Sequence, residues 1–418
     1  MTKTAFTKLM AAILAGAMMT LGLLSCGMTV RATDLMEGIE AAEASGKAAD
    51  DTFISALADF SIRLYQQSSA DCSKGDNFLV SPISAAAALG MAENGAGGST
   101  KAQFEALFGL SLDEMNAYML DYLENLYSSE EKMKLSIANS IWFDEGRITV
   151  SRDFLAANKA YYRAQMYQTD FSDPKTVSDI NSWVKKNTDG MIEQLLEQIS
   201  PYAVMYIINA VCFDAEWDVK YEKSDIRDGT FYNADGSSET VEYLCSEESK
   251  YISSADGTIG MIKNYKGGKF AFAALLPSEG TDIADFVAGL DGQAFLSLIQ
   301  NAEPTPVNVM LPKFTYDCDM SLVDSLQALG LTDAFGAADF SGISETQQLA
   351  ISDVIHKTHI ELDENGTKAA AITAIIVDES AAAPAELSVT FDRPFVYAII
   401  DTATGLPLFL GTVTNLGE

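Results

Sequence analysis

The chain has 418 residues, 48% of them hydrophobic, which is enough apolar material for a sizeable core. Only 21% are charged, which argues against a disordered chain. With 27 Lys+Arg against 59 Asp+Glu the formal charge is −32, a balance that repels phosphate backbones and anionic bilayers and excludes nucleic acid as a partner.

Lys3 and Lys8, followed by a mostly apolar stretch over residues 9–24, read as a secretory signal covering residues 1–25. The apolar run is too short and too rich in Ala and Gly for a spanning helix. Leu23-Leu24-Ser25-Cys26 resembles a bacterial lipobox, implying cleavage before Cys26 and acylation of its sulfur and amine; a free secreted form is the alternative. An exported protein, on the cell surface as a lipoprotein or secreted, is therefore expected, touching a membrane only through that lipid. Residues 26–50, with Glu37, Glu40 and Glu43 among small residues, are expected to be a lipid-anchored acidic tether ahead of a domain spanning 51–418. Cys72, Cys212, Cys245 and Cys318 lack the short paired spacings of a metal site, so mostly buried thiols and no metal are expected.

Phe53, Leu57, Phe60 and Leu64 fall on one helical stripe. Ser81-Pro82 reads as a helix start, with Ser81 as the cap and Pro82 at the first helical position. Gly95, Gly97 and Gly98 end that helix; Thr100 with Gln103 predicts a capping box for a short helix stopping at Gly109. The apolar set Ile180, Trp183, Val184, Met191, Ile192 and Leu195 predicts one amphipathic helix over 180–196. Residues 204–213 form a nearly continuous apolar run, the mark of a strand buried on both faces. Strand-like runs recur at 270–276, 307–311, 349–355, 355–362, 387–391, 395–400 and 408–413. Helices first and strands later indicate an α+β domain with large mixed or antiparallel sheets.

Catalytic constellations are not found. His356 and His359 are three apart in a predicted strand and so point to opposite faces, which argues against a metal pair and a catalytic base. No Gly-x-Ser-x-Gly elbow or phosphate loop occurs, so no enzyme and no cofactor are expected.

Several segments resemble one family in collinear order. They are Asn77-Phe78-Leu79-Val80-Ser81-Pro82 with Asn94-Gly95-Ala96, Ile137-Ala138-Asn139-Ser140-Ile141-Trp142, Ile208-Asn209-Ala210-Val211-Cys212-Phe213 with Trp217, Leu311-Pro312-Lys313-Phe314, and Phe391-Asp392-Arg393-Pro394-Phe395. Together with Glu364-Asn365-Gly366-Thr367-Lys368-Ala369-Ala370-Ala371 they are similar to the serpins, over essentially everything from residue 51 on. The resemblance implies the serpin fold, helices packed around large β-sheets with an exposed reactive-centre loop. It also implies a monomeric serine-protease inhibitor of the bacterial, exported type. Such an inhibitor is a suicide substrate whose cleaved loop inserts into the main sheet before the acyl-enzyme is hydrolysed. A non-inhibitory serpin, acting as a surface binding protein or plain protease substrate, is the alternative; an exported hydrolase, suggested only by the many carboxylates, is a second.

The same resemblance assigns roles. Glu364, Gly366, Thr367, Ala369, Ala370, Ala371 and Thr373 would form the hinge; Ser81, Ser84, Asn209 and His356 the shutter that holds the sheet closed; Trp217 the breach where the loop enters. Ser380–Ala381 would be the reactive bond. Physically, a segment that must enter a sheet needs a flexible start, supplied by Gly366, and small or β-compatible side chains on one face, as at Thr367, Ala369, Ala371 and Thr373. Taken alone, the Ala-rich run would serve equally as an ordinary strand or a helix. No Lys or Arg lies between Lys368 and Arg393, so a trypsin-like pocket has no partner, and small Ser380 and Ala381 suit elastase-like or subtilisin-like enzymes. A Glu379-directed protease is the minor alternative. Residues 118–134 carry no basic stripe, so heparin is not an expected partner. Lys368 and Asp214-Ala215-Glu216 depart from the family pattern, and Asn365-Gly366-Thr367 is formally a glycosylation sequon.

Overall fold

The alternation of helical and strand periods resolves, in the computed structural model, into three sheets wrapped by helices. The structure describes residues 31–70, 75–127, 133–200, 202–345, 349–367 and 386–417. The expected signal segment, Cys26 and Cys72 lie outside the described residues. The elements described below all belong to the unit Ala32–Glu418.

In chain order the large unit runs β1 (Thr33–Asp34), α1 (Asp51–Ala70), β2 (Phe78–Val80), α2 (Pro82–Glu93), α3 (Gly98–Phe108), α4 (Leu112–Tyr127), β3 (Met133–Asp144), α5 (Arg152–Tyr162), β4 (Gln165–Thr169) and α6 (Lys175–Asn187). It continues with β5 (Met205–Glu216), β6 (Ile226–Tyr232), β7 (Ser238–Glu248), β8 (Tyr251–Ser253), β9 (Ile259–Asn264), β10 (Phe270–Leu276), α7 (Ile283–Gly289), α8 (Gly292–Gln300), β11 (Val307–Pro312), β12 (Phe314–Ser321) and α9 (Val323–Ala328). The last elements are β13 (Asp353–Leu362), β14 (Gly366–Thr367), β15 (Leu387–Thr390), β16 (Phe395–Asp401) and β17 (Pro407–Val413). A seven-stranded sheet is ordered β1-β4-β3-β5-β14-β13-β12, a six-stranded one β2-β17-β16-β10-β9-β8, and a four-stranded one β15-β11-β7-β6.

α1 buries Phe53, Leu57, Phe60 and Leu64 as its stripe predicts; each such side chain gains about 1.5–3 kcal/mol from burial. α2 is buried on every side, because it runs between β17 and the pair β3 and β5. Its small residues are what fit there: a Cβ on Gly90 would come 2.3 Å from the Tyr162 hydroxyl oxygen. β5 is buried over nearly its whole length, as its unbroken apolar run predicts.

Five expectations change. The stretch expected to be a tether is bound to the domain from Thr33 on: β1 pairs with β4, Met36 and Ile39 are buried, and the Lys159 ammonium donates to the Ile39 carbonyl at 2.9 Å. Leu35, Met36 and Ile39 are too few apolar residues, among small and acidic ones, to show a hydrophobic period. The helix predicted over 180–196 stops at Asn187, where Asp189 and Gly190 take positive φ. The side-chain oxygen of Asn181 then accepts from the Leu195 and Leu196 amides, folding the rest back. Ser81 sits at the cap of α2 without capping it, and the predicted capping box is absent from α3, whose cap is Gly97. Thr100 and Gln103 accept instead from the Asp339 and Thr332 amides of a distant segment. Residues 349–352 precede the strand rather than joining it, since β13 begins at Asp353.

Candidate functional site

β13 ends at Leu362, and the chain reverses within three residues. The Asp363 carboxylate accepts from the Asn365 and Gly366 amides at 2.7 and 3.1 Å, an Asx turn. The returning chain is β14, which enters between two strands: Thr367 registers with Leu362 on β13 and with Ala215 on β5. Below that point β5 and β13 pair directly and in parallel, from Tyr206 with Asp353 to Val211 with Thr358. Two residues of the expected hinge are thus already strand.

Gly366 is required here for close approach rather than flexibility. A Cβ on it would lie 2.0 Å from the Ala215 carbonyl oxygen. Thr367 is fully buried, and its hydroxyl meets that of Tyr265 at 2.5 Å. Trp217 anchors the turn from the side: its indole N–H donates to the Asp363 carbonyl and its amide to the Asn365 carbonyl, both at 2.9 Å. Glu364 pairs with Lys313 at 2.8 Å, and that ammonium, shared with Glu242 at 3.0 Å, holds the Glu364 carboxyl below its ordinary range.

The four expected shutter residues meet in the middle of the seven-stranded sheet. The Ser81 amide donates to His356 Nε2 at 3.0 Å, and the Ser81 hydroxyl donates to the Leu408 carbonyl at 2.7 Å. Because Nε2 accepts, the ring proton sits on Nδ1 and is donated to Asn209 Oδ1. The Asn209 amide nitrogen donates in turn to Ser84 Oγ and Asn139 Oδ1. Burial pushes the His356 imidazole down to about 3, so it is neutral. One polar network therefore ties α2 to β3, β5 and β13. His359 points to the other face of β13, as the strand period requires, with Nδ1 2.7 Å from Asp317.

The sequence does not single out Asn139, although it lies in a segment that carries the resemblance; its registration opposite Asn209 is what brings it into the network. Tyr265 carries no sequence signal of this kind. Ala369, Ala370, Ala371, Thr373, Ser380 and Ala381 lie outside the described residues.

Comparison with known proteins bears on this geometry. Residues 55–416 match the family described as Serpin (serine protease inhibitor). Among solved structures, the thermophilic serpin tengpin in its native state is 44% identical, with a TM-score of 0.87 over 93% of this chain and 100% of that one. A serpin-like protein of Thermococcus kodakarensis is 30% identical over 369 residues, 87% of this chain and 85% of that protein. The plasma serine protease inhibitor of Mus musculus is 29% identical over 366 residues, 85% of this chain and 89% of that protein.

Proposed function

The chain is a serpin, a member of the serine protease inhibitor family, and from that premise we propose that it traps its target as a suicide substrate. The protease attacks the loop and forms an acyl-enzyme. The freed strand then inserts into the seven-stranded sheet faster than water can deacylate the intermediate. The observation that carries this reading is β14, seated between β5 and β13 with its side of the gap already open.

Each further step along the loop moves one residue back along both neighbours. In that register Thr373 would fall opposite Asn209 on β5 and His356 on β13, the pair that now bond to each other. Its hydroxyl could then take up the bonds that opening breaks, which supports the hinge and shutter assignments. Val377 would reach Met205, the start of β5. Insertion replaces one parallel pairing by two antiparallel ones and adds a strand's worth of packing, the kind of gain that drives serpin loop insertion.

Small Ser380 and Ala381, with no basic residue between Lys368 and Arg393, support an elastase-like or subtilisin-like target. The signal-like start and Cys26 support a place outside the cell, held by a lipid. The test is to mix the protein with pancreatic elastase or subtilisin and run a denaturing gel. A stable covalent adduct is expected, with a released C-terminal peptide beginning at Ala381 by mass spectrometry. Complete conversion to a nicked chain with no adduct by either protease would instead make it a non-inhibitory serpin.

A further inference from the structure

Where the hinge enters the sheet, one aromatic stack carries more than packing. Tyr265 follows β9 and is fully buried. Its ring lies 4.5 Å from that of Trp217 with the planes 7° apart, and its hydroxyl reaches Thr367 Oγ1 at 2.5 Å. The Lys263 ammonium sits 5.6 Å from the Trp217 ring centroid and 4.5 Å from that of Tyr221. That ammonium is itself buried and paired with Glu248 at 2.7 Å. Stacking, cation–π contact and a buried ion pair together fix the phenol, so its hydroxyl is presented at one place. That place is the gap between β5 and β13, opposite the first hinge side chain to point inward.

We infer that Tyr265 is a positioning residue for loop insertion: its hydroxyl holds Thr367 between β5 and β13, so that the strand is started before a protease arrives. Starting a strand requires ordering its first residues before any further pairing repays it. With Gly366 and Thr367 already ordered, insertion after cleavage begins at propagation. The kinetic consequence rests on the trapping mechanism proposed above; the docking of the hinge does not.

The experiment compares the full chain with Tyr265→Phe, Thr367→Val and the double variant. Two quantities are read: hydrogen–deuterium exchange over residues 363–367, and the moles of inhibitor consumed per mole of elastase trapped. Each single variant removes one hydroxyl and should speed exchange at the hinge roughly fivefold, the loss of one buried hydrogen bond. Inhibitor consumption should rise with it, and the double variant should go no further than either single one. A purely structural role would instead speed exchange throughout β5 and β13 and lower the melting temperature. That pattern, or unchanged exchange at the hinge, overturns the inference; so does faster hinge exchange with unchanged consumption. If Tyr265→Phe fails to fold, Thr367→Val alone decides. If the wild type forms no adduct, the trapping mechanism falls, while exchange still decides whether Tyr265 holds the hinge.

Discussion

His356 stays neutral because it is buried and because the Ser81 amide occupies its Nε2, so a second proton would have to displace that bond. Its native pKa of about 3 lies below the 6.5 of a free imidazole. Between those values the unfolded chain binds a proton that the native one refuses, and stability falls as pH falls. Glu93 has the opposite sign. It is fully buried in α2, and neither of its carboxylate oxygens has a hydrogen-bond partner among the described residues. Burial, with the Glu105 charge adding to it, pushes its carboxyl up to about 8 from 4.5. Its contribution is fully present below 4.5 and lost as pH rises through 8. The two slopes oppose each other between pH 4.5 and 6.5, and only the Glu93 decline operates between 6.5 and 8. Glu93→Gln should therefore remove the alkaline decline. It should also unmask an acid-side loss approaching about 1.4 kcal/mol per pH unit below pH 6.5. Urea midpoints of both proteins at pH 5, 6, 7 and 8 check this; two parallel profiles would contradict it.

At the scale of elements the decisive feature is the two-residue strand β14. Gly366 looks in sequence like a source of flexibility, but the structure uses its missing Cβ, since the Ala215 carbonyl lies where a side chain would start. Gly366→Ala should push β14 off β5 and shift the outcome of the protease reaction from adduct toward nicked chain by several-fold, read by densitometry of the same gel. An unchanged ratio would show that the hinge need not be seated. The elements themselves were largely legible. The α1 stripe and the apolar run of β5 depend on local periodicity, and both fall where predicted. The helix expected over 180–196 ends early because its last apolar residues pack through a turn that Asn181 closes, and a period cannot distinguish the two. β1 has no legible period because it is two exposed residues long and is fixed by its pairing with β4.

On the scale of the whole molecule, the native fold keeps β5 and β13 paired where a further strand could stand. Loop cleavage should let that strand enter. Burying Ala369, Ala371, Thr373, Ile375 and Val377 on the inner face would contribute on the order of 5–10 kcal/mol. The loop-cleaved form should then melt roughly 10 °C or more above the intact one; equal midpoints by calorimetry would refute a stressed native state.

Local order along the chain was enough to read the α+β class, most element positions and the family, because periodicity, turn residues and collinear motifs are properties of neighbouring residues. The meeting of Ser81, Asn139, Asn209 and His356 at one point was decided only in three dimensions. Those residues lie up to 275 positions apart, and strand register, which no single segment contains, brings them into contact. The same holds for Tyr265 and Thr367, separated by 102 positions and joined by one hydrogen bond. A hydroxyl's partner depends on which surface folds against it, and that is a property of the assembled sheets.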